Sequence, residues 1–384
     1  MLKPYAAKAK AALVIVDSTL RALQELARFH MERIGAIRVG VTGSNGKTTT
    51  KELVGAILSA EGSTAVAEGN LNSDIGLPLA VFEVSKKDEY AVFELGMNRA
   101  GEMDELVSIV RPQVALITNI GVAHIGILGS QESIAAEKAR IFSTLEKDRS
   151  GWVHEDEPYL DFLRRGRGSQ VATYGERSTD GFEGWEDHGL DGSAIKWRGR
   201  TLRLALPGLH NLRNALGAIS LCSSLGASEK SVQQGIESVK AMFGRSQILR
   251  GPITIIQDCY NANPDSMETV IRFLQGLSWS GPRIAILGSM RELGAETERA
   301  HRDMGRQVSD LGLDAVVFVG EETKTARDAL LSAGYAGACR WFASAGEAAS
   351  EMNGIVPDGS LVLVKGSRSL ELETLVRRLT EAAG

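Results

Sequence analysis

The chain has 384 residues, enough for two or three domains, and is 43% hydrophobic and 24% charged, which suits a globular protein with a sizeable core. Lys and Arg number 43 against 48 Asp and Glu, and the formal charge of −5 excludes a nucleic-acid binder driven by a global basic field. Cys222, Cys259 and Cys339 are too widely spaced for a disulfide framework or a zinc motif and suit a reducing compartment, and no apolar run reaches the ~18 residues of a membrane span.

The segment from Lys3 to Val16 faintly imitates a signal peptide, but its apolar stretch is short and stops at Asp17. It reads instead as the start of a cytoplasmic structure. Asp17 or Ser18 caps a helix running to about Arg33, with Leu20, Leu23, Ala27 and Ile34 at helical spacing. Ile37 to Val41 reads as a buried strand, followed by a Gly-rich turn and a helix from Thr48 to about Ala60. Further strand-like runs fall at 91–95, 114–118, 253–257, 283–287, 315–319 and 361–364. Helical stretches at 101–110, 131–146, 265–277, 297–311, 323–333 and 370–382 separate many of them. This alternation predicts an α/β fold with mainly parallel sheets. Between 151 and 206 the rhythm changes. Short strands at 171–174, 194–198 and 201–206, with a Gly/Asp/Trp-rich stretch at 180–192, predict an antiparallel edge or flap. A new alternating series begins after Gly251 and Pro252, which places a domain boundary near 248–252.

The sharpest local feature lies between the first strand and its helix: Gly43-Ser44-Asn45-Gly46-Lys47-Thr48-Thr49. Gly43 and Gly46 allow backbone N–H groups to approach phosphate oxygens, and the helix N-terminus adds its positive dipole end. Lys47 is placed to reach β- and γ-phosphates, and the Thr48 hydroxyl to ligate Mg²⁺. Val41 stands where the longer G-x-x-x-x-G-K-[ST] pattern needs glycine, so this is the shorter G-x-x-G-K-T form. The bland alternative is a Gly-rich turn with an incidental lysine; the strand–loop–helix setting disfavours it.

The loop T-G-S-N-G-K-T-T resembles that of the Mur ligases, the ATP-dependent amide ligases of peptidoglycan precursor synthesis. Further similar segments follow in the family's order: Gly69 to Leu79, Glu94-Leu95-Gly96-Met97-Asn98, Thr118-Asn119-Ile120-Gly121-Val122-Ala123-His124, and Pro207 to Ala215. Tyr260 to Met267, Leu287 to Gly294 with His301 downstream, and Val364 to Arg368 complete the series. It spans about residues 12–382 and is most similar to the branch that adds D-Ala-D-Ala to UDP-N-acetylmuramoyl-tripeptide (UDP-MurNAc-tripeptide).

The resemblance implies a central P-loop-type ATPase domain at 36–248 and a C-terminal Rossmann-like domain at 249–384. Residues 1–35 are similar to only the end of the family's N-terminal UDP-substrate domain. No G-x-G-x-x-G occurs in the last third, so a dinucleotide site is not expected there. The implied reaction turns the tripeptide carboxylate into an acyl phosphate, which the amine of D-Ala-D-Ala attacks. ATP and two Mg²⁺ ions are the implied cofactors. Lys47, Glu94, His124 and Lys138 are the implied catalytic residues, with Thr48, Glu94, His124 and Lys138 as metal ligands. Lys138 aligns with the lysine that the family carbamylates to N6-carboxylysine. Without the resemblance, His124 reads as structural and Lys138 as a solvated lysine.

On the nucleotide, the resemblance assigns the phosphate loop and Thr49, Asn211 and Asn214 near the adenine, Arg245 at the γ-phosphate and Asp258 at the ribose. Tyr260, Asn261, Asn263 and Pro264 form an interdomain wall. Asn72, Ser73 and Asn261 are implied substrate contacts, and Lys365 and Arg368 meet a substrate carboxylate or phosphate, unless they merely occupy a surface turn. Met290, Glu292 and Leu293 line the dipeptide pocket. The implied protein is a cytoplasmic monomer whose partners are these small molecules, with no nucleic acid and no membrane. The alternatives are a related amide ligase for a different carboxylate–amine pair, which the short N-terminal part favours, and a nucleotide-binding protein without turnover.

Overall fold

The structure is a computed structural model that describes residues 14–146, 149–165 and 168–381. Most of the Lys3 to Val16 segment lies outside the described residues. Two six-stranded sheets organise the chain. The first has the order β2-β3-β1-β4-β5-β6, from β1 (Ile37–Thr42), β2 (Thr64–Val66), β3 (Tyr90–Glu94), β4 (Val114–Ile117), β5 (Gly151–His154) and β6 (Val171–Tyr174). Every pairing in it is parallel. A separate antiparallel sheet, β7 (Phe182–Asp187), β8 (Ser193–Trp197) and β9 (Arg200–Leu204), forms the flap, but the strand expected in it at 171–174 is β6 and pairs parallel with β5.

The second large sheet has the order β10-β11-β15-β12-β13-β14. Its strands are β10 (Gln247–Leu249), β11 (Thr254–Asp258), β12 (Arg283–Gly288), β13 (Ala315–Val319), β14 (Ala338–Phe342) and β15 (Leu361–Lys365). Only β10 pairs antiparallel, against β11.

Parallel strands covered on both faces read as continuous apolar runs, and β4 and β13 are buried at every position. The pleat sends alternate residues to opposite sides. Ala115 and Ile117 join Met103, Leu106 and Ile134 in one core, while Val114 and Leu116 join Leu53, Ile57 and Leu212 in the other. In the second sheet, Ala285 and Leu287 meet Met267 and Leu274, whereas Ile284 and Ile286 meet Met352 and Leu375.

The helix Thr19–Met31 starts where expected, with Ser18 Oγ accepting from the Arg21 N–H. The expected helix at 131–146 is shorter, Gln131–Ala139, and tightens into a 3-10 turn at Arg140–Phe142. The helix Leu209–Ser224 had no forecast; it is buried from Leu212 round to Asn214 through Cys222 and so lacks a clean apolar stripe.

The C-terminal ends of β1, β3 and β4 face those of β11 and β15 across one cleft of about 1360 Å³. Ligands of open α/β sheets bind outside such strand ends.

Candidate active site

β1 delivers the chain into the loop at Gly43 and the helix Lys47–Glu61 carries it away. A Cβ on Gly43 would lie 1.8 Å from Thr118 Oγ1, and one on left-handed Gly46 would lie 2.5 Å from Asn214 Oδ1. The backbone can follow this path only without side chains there. No side chain caps the helix start, so its first-turn N–H groups remain available to an anion.

The loop is braced by its neighbours. Ser44 and Asn45 donate their N–H groups to Asn119 O and Oδ1 at 3.0 and 3.1 Å, and Asn119 Nδ2 returns a bond to Asn45 O at 3.1 Å. From the other half of the chain, Asn263 Nδ2 donates to Asn45 Oδ1 at 2.8 Å. Asn263 also caps the helix Pro264–Gly276, which fixes its side chain.

Lys47 folds back on the loop, donating to Gly43 O at 3.0 Å and Ser44 O at 3.4 Å. Burial pushes its pKa down; Glu94 opposes this and the Arg245 charge adds to it. Lys138 is buried and also donates to Gly43 O, at 3.0 Å. Burial, then the Lys47 charge, push its amine well below the ordinary lysine value. Glu94, also buried, accepts from Thr48 Oγ1 and Asn72 Nδ2, both at 2.6 Å, one on each carboxylate oxygen.

His124 lies nearby in a left-handed conformation, with Nδ1 2.7 Å from Glu292 Oε2. Glu292, also left-handed, thus touches the first half of the chain. Met290 and Leu293 are buried and border a smaller cavity of about 230 Å³ with Val122, Ile125, Met267 and Met304.

On the facing wall, Asp258 and Lys365 are register partners on β11 and β15. Lys365 Nζ lies 2.6 Å from Asp258 Oδ2 and donates to Asn261 O at 3.2 Å. Asp258 Oδ1 accepts the Ser246 N–H at 2.9 Å. The surface-turn alternative for Lys365 therefore fails, since it is buried. Arg245 stacks over the Tyr260 ring at 4.2 Å. Burial lowers the His210 imidazole to about 4, against the pull of the Asp258 charge.

Asn211 and Asn214 also reach the cleft wall, with their amides partly engaged. Asn211 Nδ2 donates to Pro207 O at 2.8 Å, and Asn214 Nδ2 to Asn211 Oδ1 at 3.3 Å. Two expected contacts stand apart from the cleft. Ser73 Oγ accepts the Gly76 N–H at 3.2 Å, and Arg368 pairs with Glu373 and lies over Phe243.

These residues fit a magnesium nucleotide. The uncapped helix start and the side-chain-free cradle suit phosphate, and the Thr48 hydroxyl and Glu94 carboxylate are hard oxygen donors. Among the described residues, no three His, Cys, Asp or Glu side chains converge as a ready metal cage. Mg²⁺ ordinarily takes one or two carboxylates and completes its shell with water and substrate phosphates.

Sequence reasoning gave no role to several residues that shape this site. Thr118 Oγ1 donates to Asn45 O at 2.5 Å. Asp265 Oδ2 accepts the Val122 N–H at 2.7 Å and links the two halves. Glu157, buried with its pKa raised by desolvation, accepts from the Ile120 N–H at 2.9 Å. Thr118 and Asp265 sit inside motifs already noted; Glu157 carries no local signal.

Residues 41–222 match the Mur ligase middle domain, and residues 244–368 match the glutamate ligase domain of Mur ligases. The chain belongs to the Mur ligase family. It is 40% identical over 370 residues to a UDP-N-acetylmuramoyl-tripeptide–D-alanyl-D-alanine ligase of Treponema pallidum, covering 95% of this chain and 79% of that protein. A crystal structure of MurF from Acinetobacter baumannii aligns with a TM-score of 0.88 at 32% identity, over 97% of this chain and 83% of that one. MurF of Thermotoga maritima in complex with ADP aligns with a TM-score of 0.82 at 25% identity, over 97% and 86%.

Proposed function

We propose that this chain is the ATP-dependent ligase that joins D-Ala-D-Ala to UDP-MurNAc-tripeptide in peptidoglycan precursor synthesis. The observation that carries the chemistry is the convergence of Lys47, Lys138, Thr48 and the Thr48–Glu94 pair at the mouth of the phosphate loop. Bound Mg-ATP supplies the γ-phosphoryl group that activates the tripeptide carboxylate for attack by the dipeptide amine.

The side chains do the positioning. The N–H groups at the start of helix Lys47–Glu61 hold phosphate oxygens, and Lys47 swings from Gly43 O to the transferring group. Thr48 and Glu94 would hold one Mg²⁺ through hard oxygen donors, and carbamylated Lys138 with His124 would hold a second. The depressed basicity of Lys138 supports carbamylation, because a neutral amine adds to CO₂ through a new N–C bond and gives up one proton to solvent, leaving an anionic carbamate oxygen. Asp258 faces the ribose, held in place by Lys365, and Arg245 reaches the γ-phosphate from its perch on Tyr260. Asn211 and Asn214 border the adenine.

The chain is read as an ATP-binding unit over 36–248 and a Rossmann-like unit over 249–384. Pairing of Gln247–Leu249 with β11 supports starting the second unit a few residues earlier. Among the described residues no helix is long and apolar enough to cross a membrane. We place the reaction in the cytoplasm, carried out by a monomer.

The test is phosphate release by the purified chain with Mg-ATP, UDP-MurNAc-tripeptide and D-Ala-D-Ala, each omitted in turn. Release that needs all components, with the amide product identified by mass, supports the assignment. Release with a different carboxylate–amine pair alone overturns it.

A further inference from the structure

Lys51 lies one helical turn beyond Lys47 and Thr48 on the helix Lys47–Glu61, and its side chain is fully buried. A lysine is almost never so buried without partners. Here Nζ donates to the carbonyls of Ala67 and Gly69, the latter at 3.1 Å, and lies 2.9 Å from Glu52 Oε1. Those carbonyls belong to the segment 67–72, which is anchored at its start by the Ala67 N–H to Val92 O at 3.0 Å and beyond that holds itself by short-range bonds: Leu71 N–H to Glu68 O at 3.2 Å and Asn72 N–H to Asn70 O at 2.7 Å.

The same segment returns to the helix by a second route. Asn72 donates to Glu94, and Glu94 accepts from Thr48, each at 2.6 Å. Asn72 O also accepts the Gly96 N–H at 2.9 Å. A closed ring results: Thr48, Glu94, Asn72, the segment 67–72, Lys51 and back along one turn of helix to Thr48. Asn70 and Asn72 face the cleft.

We infer that Lys51 is a positioning residue that ties segment 67–72 to the nucleotide-binding helix, so that Asn70 and Asn72 are held at the acyl-substrate side of the phosphate loop. Lys51 touches no reacting atom; it acts through the two carbonyls it holds. The inference rests on the proposed ligase reaction for its kinetic readout alone.

The test compares the parent chain with Lys51→Met and Lys51→Arg. In Lys51→Met, KM for UDP-MurNAc-tripeptide rises about tenfold or more, while kcat and the KM values for ATP and D-Ala-D-Ala stay within about threefold. Lys51→Arg, which keeps its donors, recovers much of the loss. Adding Asn72→Ala to Lys51→Met raises that KM little beyond Asn72→Ala alone, because both act on one segment. Amide hydrogen exchange supplies a readout independent of turnover: exchange over 67–72 speeds up in Lys51→Met while β1 is unchanged, and saturating Mg-ADP slows exchange over 67–72 in the parent.

An unchanged KM for the tripeptide, an additive double variant, or a parent segment indifferent to bound Mg-ADP overturns the inference. If Lys51→Met does not fold, Lys51→Arg and the exchange response of the parent decide it. A parent that makes no amide product overturns the proposed reaction and leaves the exchange result to judge Lys51.

Discussion

The C-terminal ends of the two large sheets meet across the same cleft but are built on opposite electrostatic plans. At the first sheet, Lys47 and Lys138 lean on one carbonyl, Gly43 O, with lowered basicity, and the adjoining helix start has no cap. At the second, Lys365 is already matched with Asp258, and Arg245 rests on the Tyr260 ring. The lysines of the first wall rest on backbone carbonyls, whereas Lys365 at the second rests on a carboxylate. Groups that a ligand must satisfy cost stability in its absence, so function and stability trade against each other at the first wall and run together at the second.

Substitutions can break that contrast. The largest effect is expected for Lys47→Met: with the role proposed for Lys47 at the transferring phosphoryl, phosphate release falls about 1,000-fold or more while the thermal midpoint holds or rises. A fall in both together would place Lys47 among the structural charges. Lys138→Met should lower turnover about 100-fold. Its urea midpoint should not drop, because a buried amine with a single carbonyl partner is replaced by an apolar chain of similar shape.

At the second wall the order reverses. Lys365→Met strands the partly buried Asp258 carboxylate and should destabilise the chain by about 2 kcal/mol, read from urea unfolding. Lys365→Met combined with Asp258→Asn should regain most of that loss, and a double variant as unstable as the single one would refute the pairing.

The smallest expected effect concerns pH. The folded His210 titrates at about 4, below the ordinary imidazole value of 6.5. Between those values the unfolded chain binds more protons, so His210 contributes stability that is present above pH 6.5 and is lost as the pH falls toward 4. His210→Gln should therefore show a smaller drop in urea midpoint from pH 7 to pH 5 than the parent; an equal drop would mean that other groups carry the acid sensitivity.

Legibility in the sequence followed the range of the interactions. The phosphate loop could be read because its glycines, lysine and threonine answer to geometry within one turn of chain. Strands β4, β13 and β15 could be read because they are buried on both faces. The helix Leu209–Ser224 could not, since burial on most sides erases its period. Partnerships between distant residues were also hidden. His124 meets Glu292 across 168 positions and Val122 meets Asp265 across 143, and no local pattern encodes either. Lys51 looks like any helix-surface lysine until segment 67–72 folds over it.

Asn45 deserves to be followed in time rather than space. Its backbone is gripped by Asn119 and Thr118 from the first half, and its side chain by Asn263 from the second. The halves cannot part without releasing this side chain, and the loop cannot reshape without disturbing it. Reshaping of the loop and parting of the halves are therefore coupled through this one amide.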